Sequence, residues 1–286
     1  MSKVGIIGGS GLYEMEGFEN KEEVVIIDTP FGQPSGNLIT GTFQGIDVVF
    51  IARHGKGHRL SPSQINYRAN IFEMKRMGVS AILSVSAVGS LKEHLKPMDF
   101  VVPDQFLDRT TLRQASFFVD GIVGHVSFAD PVDKQLAKIL VEAAKQAGST
   151  VHEGGTYVNM EGPQFSTKAE SNLYRSWGMD IIGMTNMTEA KLAREAEIAY
   201  ATLAAVTDYD CWHPDHDSVT VEMILNNLNK NVAKAKEILR IAIPKVGKIE
   251  KFEANDALKY ALVTSGSVIP EDIKKRYQVL IGKYIK

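Results

Sequence analysis

A single cysteine, Cys211, among 286 residues excludes a disulfide within the chain and fits a reducing compartment. No stretch approaches the roughly 18 apolar residues that a membrane-spanning helix needs. The opening segment, MSKVGIIGGSGLYE, has no apolar run of the length that a secretory leader requires, so a cytoplasmic protein is expected. Charge of one sign is also lacking: 32 Lys and Arg against 34 Asp and Glu leave a formal net charge of -2. With no basic run there is no electrostatic footprint for nucleic acid, and an anionic ligand has to be held by a local pocket. The metalloprotease pattern HExxH, the CxxC pair and the Gly-x-Ser-x-Gly elbow are all absent. His213-Pro214-Asp215-His216-Asp217 gathers ligand-type residues, but its proline disfavours a helical histidine pair, and a polar loop is the reading.

With 44% hydrophobic residues, the chain can bury a sizeable core. Short apolar runs closed by Gly or Pro predict strands at Val4–Ile7, Val24–Asp28, Asn37–Phe43, Val48–Ala52, Ala81–Val85 and Phe100–Pro103. Further strands are expected at Gly155–Met160, Ile181–Met184 and Tyr200–Val206. Helical spacing appears at Ser61–Met77, which opens on a Ser-Pro start, and from Asp130 to Ala147 before Gly148. It recurs at Thr167–Trp177, Glu189–Glu195 and Ser218–Ile243. The fold class is therefore α/β, a single-domain sandwich whose central mixed β-sheet is flanked by helices, with the early, closely spaced strands antiparallel. Residues 1–246 form the body; 247–286 are expected to be a C-terminal helical tail packed on the same domain.

Five segments have the make-up of a ligand site. Gly8-Gly9-Ser10-Gly11 ends a buried strand, where successive N–H groups and a hydroxyl can cup an anion. A dinucleotide loop remains an alternative, with Asp28 as its ribose acid, although the third glycine of that fingerprint is missing. A plain turn is the third possibility. Arg53-His54-Gly55 follows another buried strand and offers a fork of donors to a phosphate. Ser86 stands where a third strand runs into glycine. Met160 to Ser166 carries Glu161 and Phe165, an acid and a ring that can stack on a base. The most informative segment is Thr207-Asp208-Tyr209-Asp210-Cys211-Trp212, in which two acids two residues apart close an uncharged strand. Such acids are costly to bury unless one is protonated, which points to acid–base chemistry or recognition of a heterocycle.

Taken together, GIIGGSGL at Gly5–Leu12, DTPFG at Asp28–Gly32, ARHG at Ala52–Gly55, NYRAN at Asn66–Asn70, DQFLDRT at Asp104–Thr110, EGPQFST at Glu161–Thr167 and AVTDYDCW at Ala205–Trp212 resemble the nucleoside phosphorylase family, from Lys3 to about Ile243. The resemblance implies phosphorolysis of a purine nucleoside, with inorganic phosphate as co-substrate and no cofactor or metal. It places phosphate at Ser10, Arg53, His54, Ser86 and Thr185, with Ser10 and Arg53 catalytic. Met184 is implied at the ribose, His125 at a 5′-alkylthio group, Phe165 and Ser166 at the base, and Val221 and Ile224 as an apolar wall. Asp208, also catalytic, and Asp210 are implied to face the purine and to favour a 6-amino group, where asparagine would suit a 6-oxo group. The family assembles as trimers or dimers of trimers, with the residue matching His125 reaching a neighbour's site. Two positions depart from the pattern: Gly183, where asparagine is common, and Thr188, where proline is usual.

Overall fold

The computed structural model describes residues 2–9, 11–214 and 221–285. Ser10, residues 215–217 of the polar loop and the expected helix start at Ser218 lie outside it, as do the side chains of Val221 and Ile224. In chain order the elements are β1 (Lys3–Gly8), β2 (Phe18–Val24), β3 (Leu38–Phe43), β4 (Ile46–Ala52), α1 (Tyr67–Arg76), β5 (Val79–Ser90), β6 (Phe100–Val102) and β7 (Gln105–Asp108). They continue with α2 (Lys134–Gln146), β8 (Val151–Glu153), β9 (Thr156–Asn159), α3 (Lys168–Ser176), β10 (Ile181–Gly183), α4 (Asn186–Glu195), β11 (Ala199–Asp208), α5 (Val221–Gly247) and α6 (Glu271–Ile281).

The strands form one mixed sheet in the order β2-β3-β4-β1-β5-β10-β9-β7, with β11, β6 and β8 branching from β5. The closely spaced β2, β3 and β4 are antiparallel, and β1 joins β4 and β5 in parallel. Helix α5 packs on the face that buries Val85, Ala201 and Leu203. Helices α1, α4 and α6 cover the face that buries Ile7, Ile51 and Ile82. Tail residues Leu258, Tyr277, Leu280 and Ile281 belong to that second core. Among the described residues no helix is long and apolar enough to cross a membrane.

Some boundaries differ from expectation. Only Val24 of the Val24–Asp28 run is in a strand; Val25 and Ile27 point to solvent. Helix α1 starts at Tyr67 because the Asn66 side chain accepts from the Ala69 N–H. Asp133, rather than Asp130, caps α2 by accepting from Gln135 and Leu136. Thr167 and Glu170 form a reciprocal capping box at the start of α3.

The fold opens a site at the middle of β5. On one edge β5 pairs with β1 as far as Ser84 and with β10 from Gly89. Between those points, Val85 to Val88 have, among the described residues, only β11 as a strand partner, on the other edge. The neighbouring strands part there, which is where ligands of open α/β sheets gather.

Candidate active site

A cavity of about 750 Å³ lies at this gap and is lined by Val85 to Gly89 together with the ends of β1, β4, β10 and β11. It brings together Arg53, His54, Ser86, Met184, Thr185, Phe165, Asp208 and Asp210 from across the chain.

Arg53 directly follows β4 and is 3% exposed. Its Nη1 donates to the Val85 carbonyl at 3.0 Å, so it satisfies a backbone group that lacks a strand partner on that edge. Nη2 donates to Ser84 Oγ at 2.6 Å and to Glu189 Oε2 at 3.1 Å, and Nε donates to Glu189 Oε1. Glu189, itself buried in the first turn of α4, also accepts from Ser84 Oγ at 2.9 Å and Tyr200 OH at 2.8 Å. Four of the five guanidinium hydrogens are thus engaged, and one on Nη1 is left for an anion. Sequence reasoning sees Glu189 only as the start of a helix; an acid in the first turn after a buried strand is the signal available.

His54 Nδ1 lies 2.8 Å from the Leu60 carbonyl. A carbonyl only accepts, so Nδ1 carries the hydrogen and a neutral ring keeps Nε2 as an acceptor. Burial and then the nearby Arg53 charge push His54 down to about 4. Its ring stacks on His58 with centroids 4.0 Å apart. Among the described residues, Ser86 Oγ is buried without a partner. So is Asn231 Oδ1 on α5, a lining residue that sequence reasoning misses. Thr185 sits at the N-terminus of α4, where backbone N–H groups favour negative charge.

Asp208 ends β11, and Asp210 follows in a turn with φ +53°. Asp208 accepts from Thr207 Oγ1 at 2.7 Å and from the Asp210 N–H at 2.8 Å. Burial nevertheless pushes its carboxyl up to about 6, with the Asp210 charge adding to the shift. Burial also raises Asp210. A Cβ on Gly89 would stand 3.0 Å from Asp208 Oδ1 and 3.4 Å from Asp210 Cβ, so a glycine lets both acids approach β5. Trp212 holds the far end of the turn: its Nε1 donates to the Ser90 carbonyl at 2.7 Å, and Arg175 lies over its ring.

Phe165 lines the cavity and is 48% exposed. Ser166 is not among the residues lining it. Its carbonyl accepts from Cys211 Sγ at 3.3 Å, and its side chain is hydrogen-bonded to the Asp210 carboxyl. His125 lies away from its own chain's cavity, where its N–H donates to the Ala261 carbonyl at 2.8 Å. The segment around His125 is tied there by that bond, by Val263 N–H donating to the Val123 carbonyl at 2.9 Å and by a bridge between Gly124 and Leu262.

Gly183 faces the cavity, and the hydroxyl of buried Tyr157 fills the space that a side chain on Gly183 would need. Thr188 is buried in the first turn of α4, with its hydroxyl 3.4 Å from Arg113 Nη1. The dinucleotide alternative loses its helix: Leu12–Glu14 is a single 3₁₀ turn that leads to β2.

The arrangement offers an anion pocket of hydroxyls, one guanidinium hydrogen and a helix N-terminus, beside a buried carboxyl pushed up to about 6. Residues 3–244 match the model of the phosphorylase superfamily. The chain is 53% identical to the S-methyl-5′-thioadenosine phosphorylase of Geobacter sulfurreducens, over 99% of both chains. It superposes with a TM-score of 0.93 on the crystal structure of a methylthioadenosine phosphorylase from an antarctic soil metagenomic library, at 50% identity and 98% coverage of each. The methylthioadenosine phosphorylase of Schistosoma mansoni in complex with adenine gives a TM-score of 0.85 at 38% identity, covering 91% of this chain and 96% of that one.

Proposed function

The chain belongs to the phosphorylase superfamily, and we propose that its reaction is the phosphorolysis of S-methyl-5′-thioadenosine to adenine and 5-methylthioribose 1-phosphate. The observation that carries this reading is the pairing, in one cavity, of the unpartnered Ser86 hydroxyl with the raised carboxyl of Asp208. The full-length likeness to methylthioadenosine phosphorylases supports it.

As the glycosidic bond breaks, its electron pair leaves with the base and the anomeric carbon gains positive charge. A phosphate oxygen then forms the new bond to that carbon. Held by Ser86, Thr185, the α4 N-terminus and the last Nη1 hydrogen of Arg53, the phosphate stabilises the charge before it attacks. His54 accepts the hydrogen bond of a hydrogen phosphate through Nε2. Asp208 gives its proton to N7 of the leaving purine and regains one from water. Asp210 accepts from the 6-amino group, and Phe165 borders the base. The proposal needs neither metal nor cofactor.

Assembly as a trimer or a dimer of trimers is part of the same reading. The position of His125, outside its own chain's cavity, supports its reaching a neighbour's 5′-alkylthio group. Light scattering that finds a monomer at assay concentration would remove that role.

The decisive assay incubates methylthioadenosine, adenosine and methylthioinosine with and without phosphate. Adenine released from methylthioadenosine only when phosphate is present is the expected result. Release without phosphate would make the protein a hydrolase, and no release would end the reading. In the same assay Asp210→Asn should shift preference toward methylthioinosine; unchanged selectivity would remove Asp210 from base recognition.

A further inference from the structure

We propose that Arg113 is a positioning residue that sets the nucleoside side of the cavity without touching the ligand, an inference that rests on the proposed reaction. Its side chain is 1% exposed, and it is not part of the cavity lining. The guanidinium instead ties together three chain segments that are.

Nη2 donates to the Glu161 carbonyl at 2.7 Å, Nη1 donates to the Met184 carbonyl, and Nε donates to Glu161 Oε1 at 3.2 Å. Nη1 also lies 3.2 Å from Tyr67 OH, which donates to the Pro62 carbonyl at 2.9 Å. Glu161 then accepts from Ser63 Oγ and from the Thr111 and Leu112 N–H groups at 2.6 and 3.1 Å. The segment that carries Arg113 is fixed from its other end, where Glu195 accepts from Ser116 Oγ at 2.7 Å and the Phe117 N–H at 2.6 Å.

Each tied segment supplies lining residues: Pro62 from the first, Met160 and Phe165 from the second, Met184 from the third. Among the described residues the last backbone bond between these two segments is the Met160 N–H donating to the Gly183 carbonyl at 2.9 Å; the Glu161 and Met184 carbonyls lie just beyond it, and there the Arg113 fork spans them. A buried ion pair is a poor means of stabilising a fold, but a planar fork with five fixed donors is well suited to setting the distance between two loops. A displacement of about 1 Å at such a remove can cost on the order of 10²-fold in rate.

The test compares the full-length wild type with Arg113→Ala and Arg113→Lys, measuring kcat, KM for methylthioadenosine, KM for phosphate and Tm, with and without added guanidinium. For Arg113→Ala, kcat/KM for the nucleoside should fall by about 10²-fold, partly through kcat, and guanidinium should restore at least about tenfold of it. Arg113→Lys keeps the charge but not the fork, so it should remain folded and still lose about tenfold or more. Nucleoside kinetics like those of the wild type in either folded variant would overturn the proposal. So would a loss that tracks Tm alone and does not respond to guanidinium. If Arg113→Ala does not fold, Arg113→Lys decides. Absence of base release by the wild type would instead defeat the proposed reaction, so the two failures are distinguishable.

Discussion

Arg53 and Asp208 line the same cavity and are both withdrawn from water, at 3% and 7% exposure, yet they are compensated in opposite ways. Arg53 meets a full counter-charge in Glu189, along with a hydroxyl and a carbonyl. Asp208 receives two neutral donors and a second acid nearby. The first arrangement keeps the guanidinium charged, its proton held more firmly by the neighbouring acid. The second leaves a proton exchangeable near pH 6, which is what a general acid requires. The same physical cost, burial, thus yields a rigid wall on one side and a chemical one on the other.

Removing the counter-charge is the most forceful way to break this comparison. Glu189→Ala leaves a buried guanidinium without its acid and should cost about 3–5 kcal/mol of stability, read by denaturant unfolding; a loss below about 1 kcal/mol would mean that Arg53 finds other partners. Asp208→Asn comes next. It should lower kcat by about 10²-fold or more with little loss of folding, and activity at the wild-type level would strip Asp208 of its role. The direction with pH follows from the raised carboxyl. The protonated form is depleted as pH rises through about 6, so kcat/KM should show an alkaline limb there that Asp208→Asn lacks. The smallest effect belongs to Phe165→Ala. A half-exposed ring beside the base should be worth about 0.5–1.5 kcal/mol, seen as a rise in KM for the nucleoside with phosphate KM unchanged. An equal rise in both would place the ring's influence elsewhere.

The buried strands are legible because apolar runs such as Val4–Ile7, Val48–Ala52 and Tyr200–Val206 end abruptly in glycine or polar residues. Strand β2, FENKEEV, is not, because it lies at the edge of the sheet with five consecutive exposed residues. The three-residue β8 is too short to announce itself. The apolar run after Val24 misleads in the other direction, since Val25 and Ile27 face solvent. Within the site, Arg53 and Asp208 are legible at strand ends; Ser86 is legible too, although β5 continues past it to Ser90, and Thr185 comes only from the resemblance. What holds them is not. Glu189 reaches Arg53 across 136 positions, and Arg113 reaches Met184 across 71; nothing local encodes such pairings. Ser166, which meets Asp210 without lining the cavity, shows the converse: a motif identifies a neighbourhood, while the backbone decides which side chain enters it.

Tyr157 and Gly183 constrain how this cavity can change over generations. Because the tyrosine hydroxyl already occupies the volume that any side chain at 183 would need, asparagine cannot arrive at 183 first without a collision. Tyr157 has to turn away or be replaced by a smaller residue to admit it. Packing therefore couples the two positions, so that what residue 183 can become depends on what stands at 157.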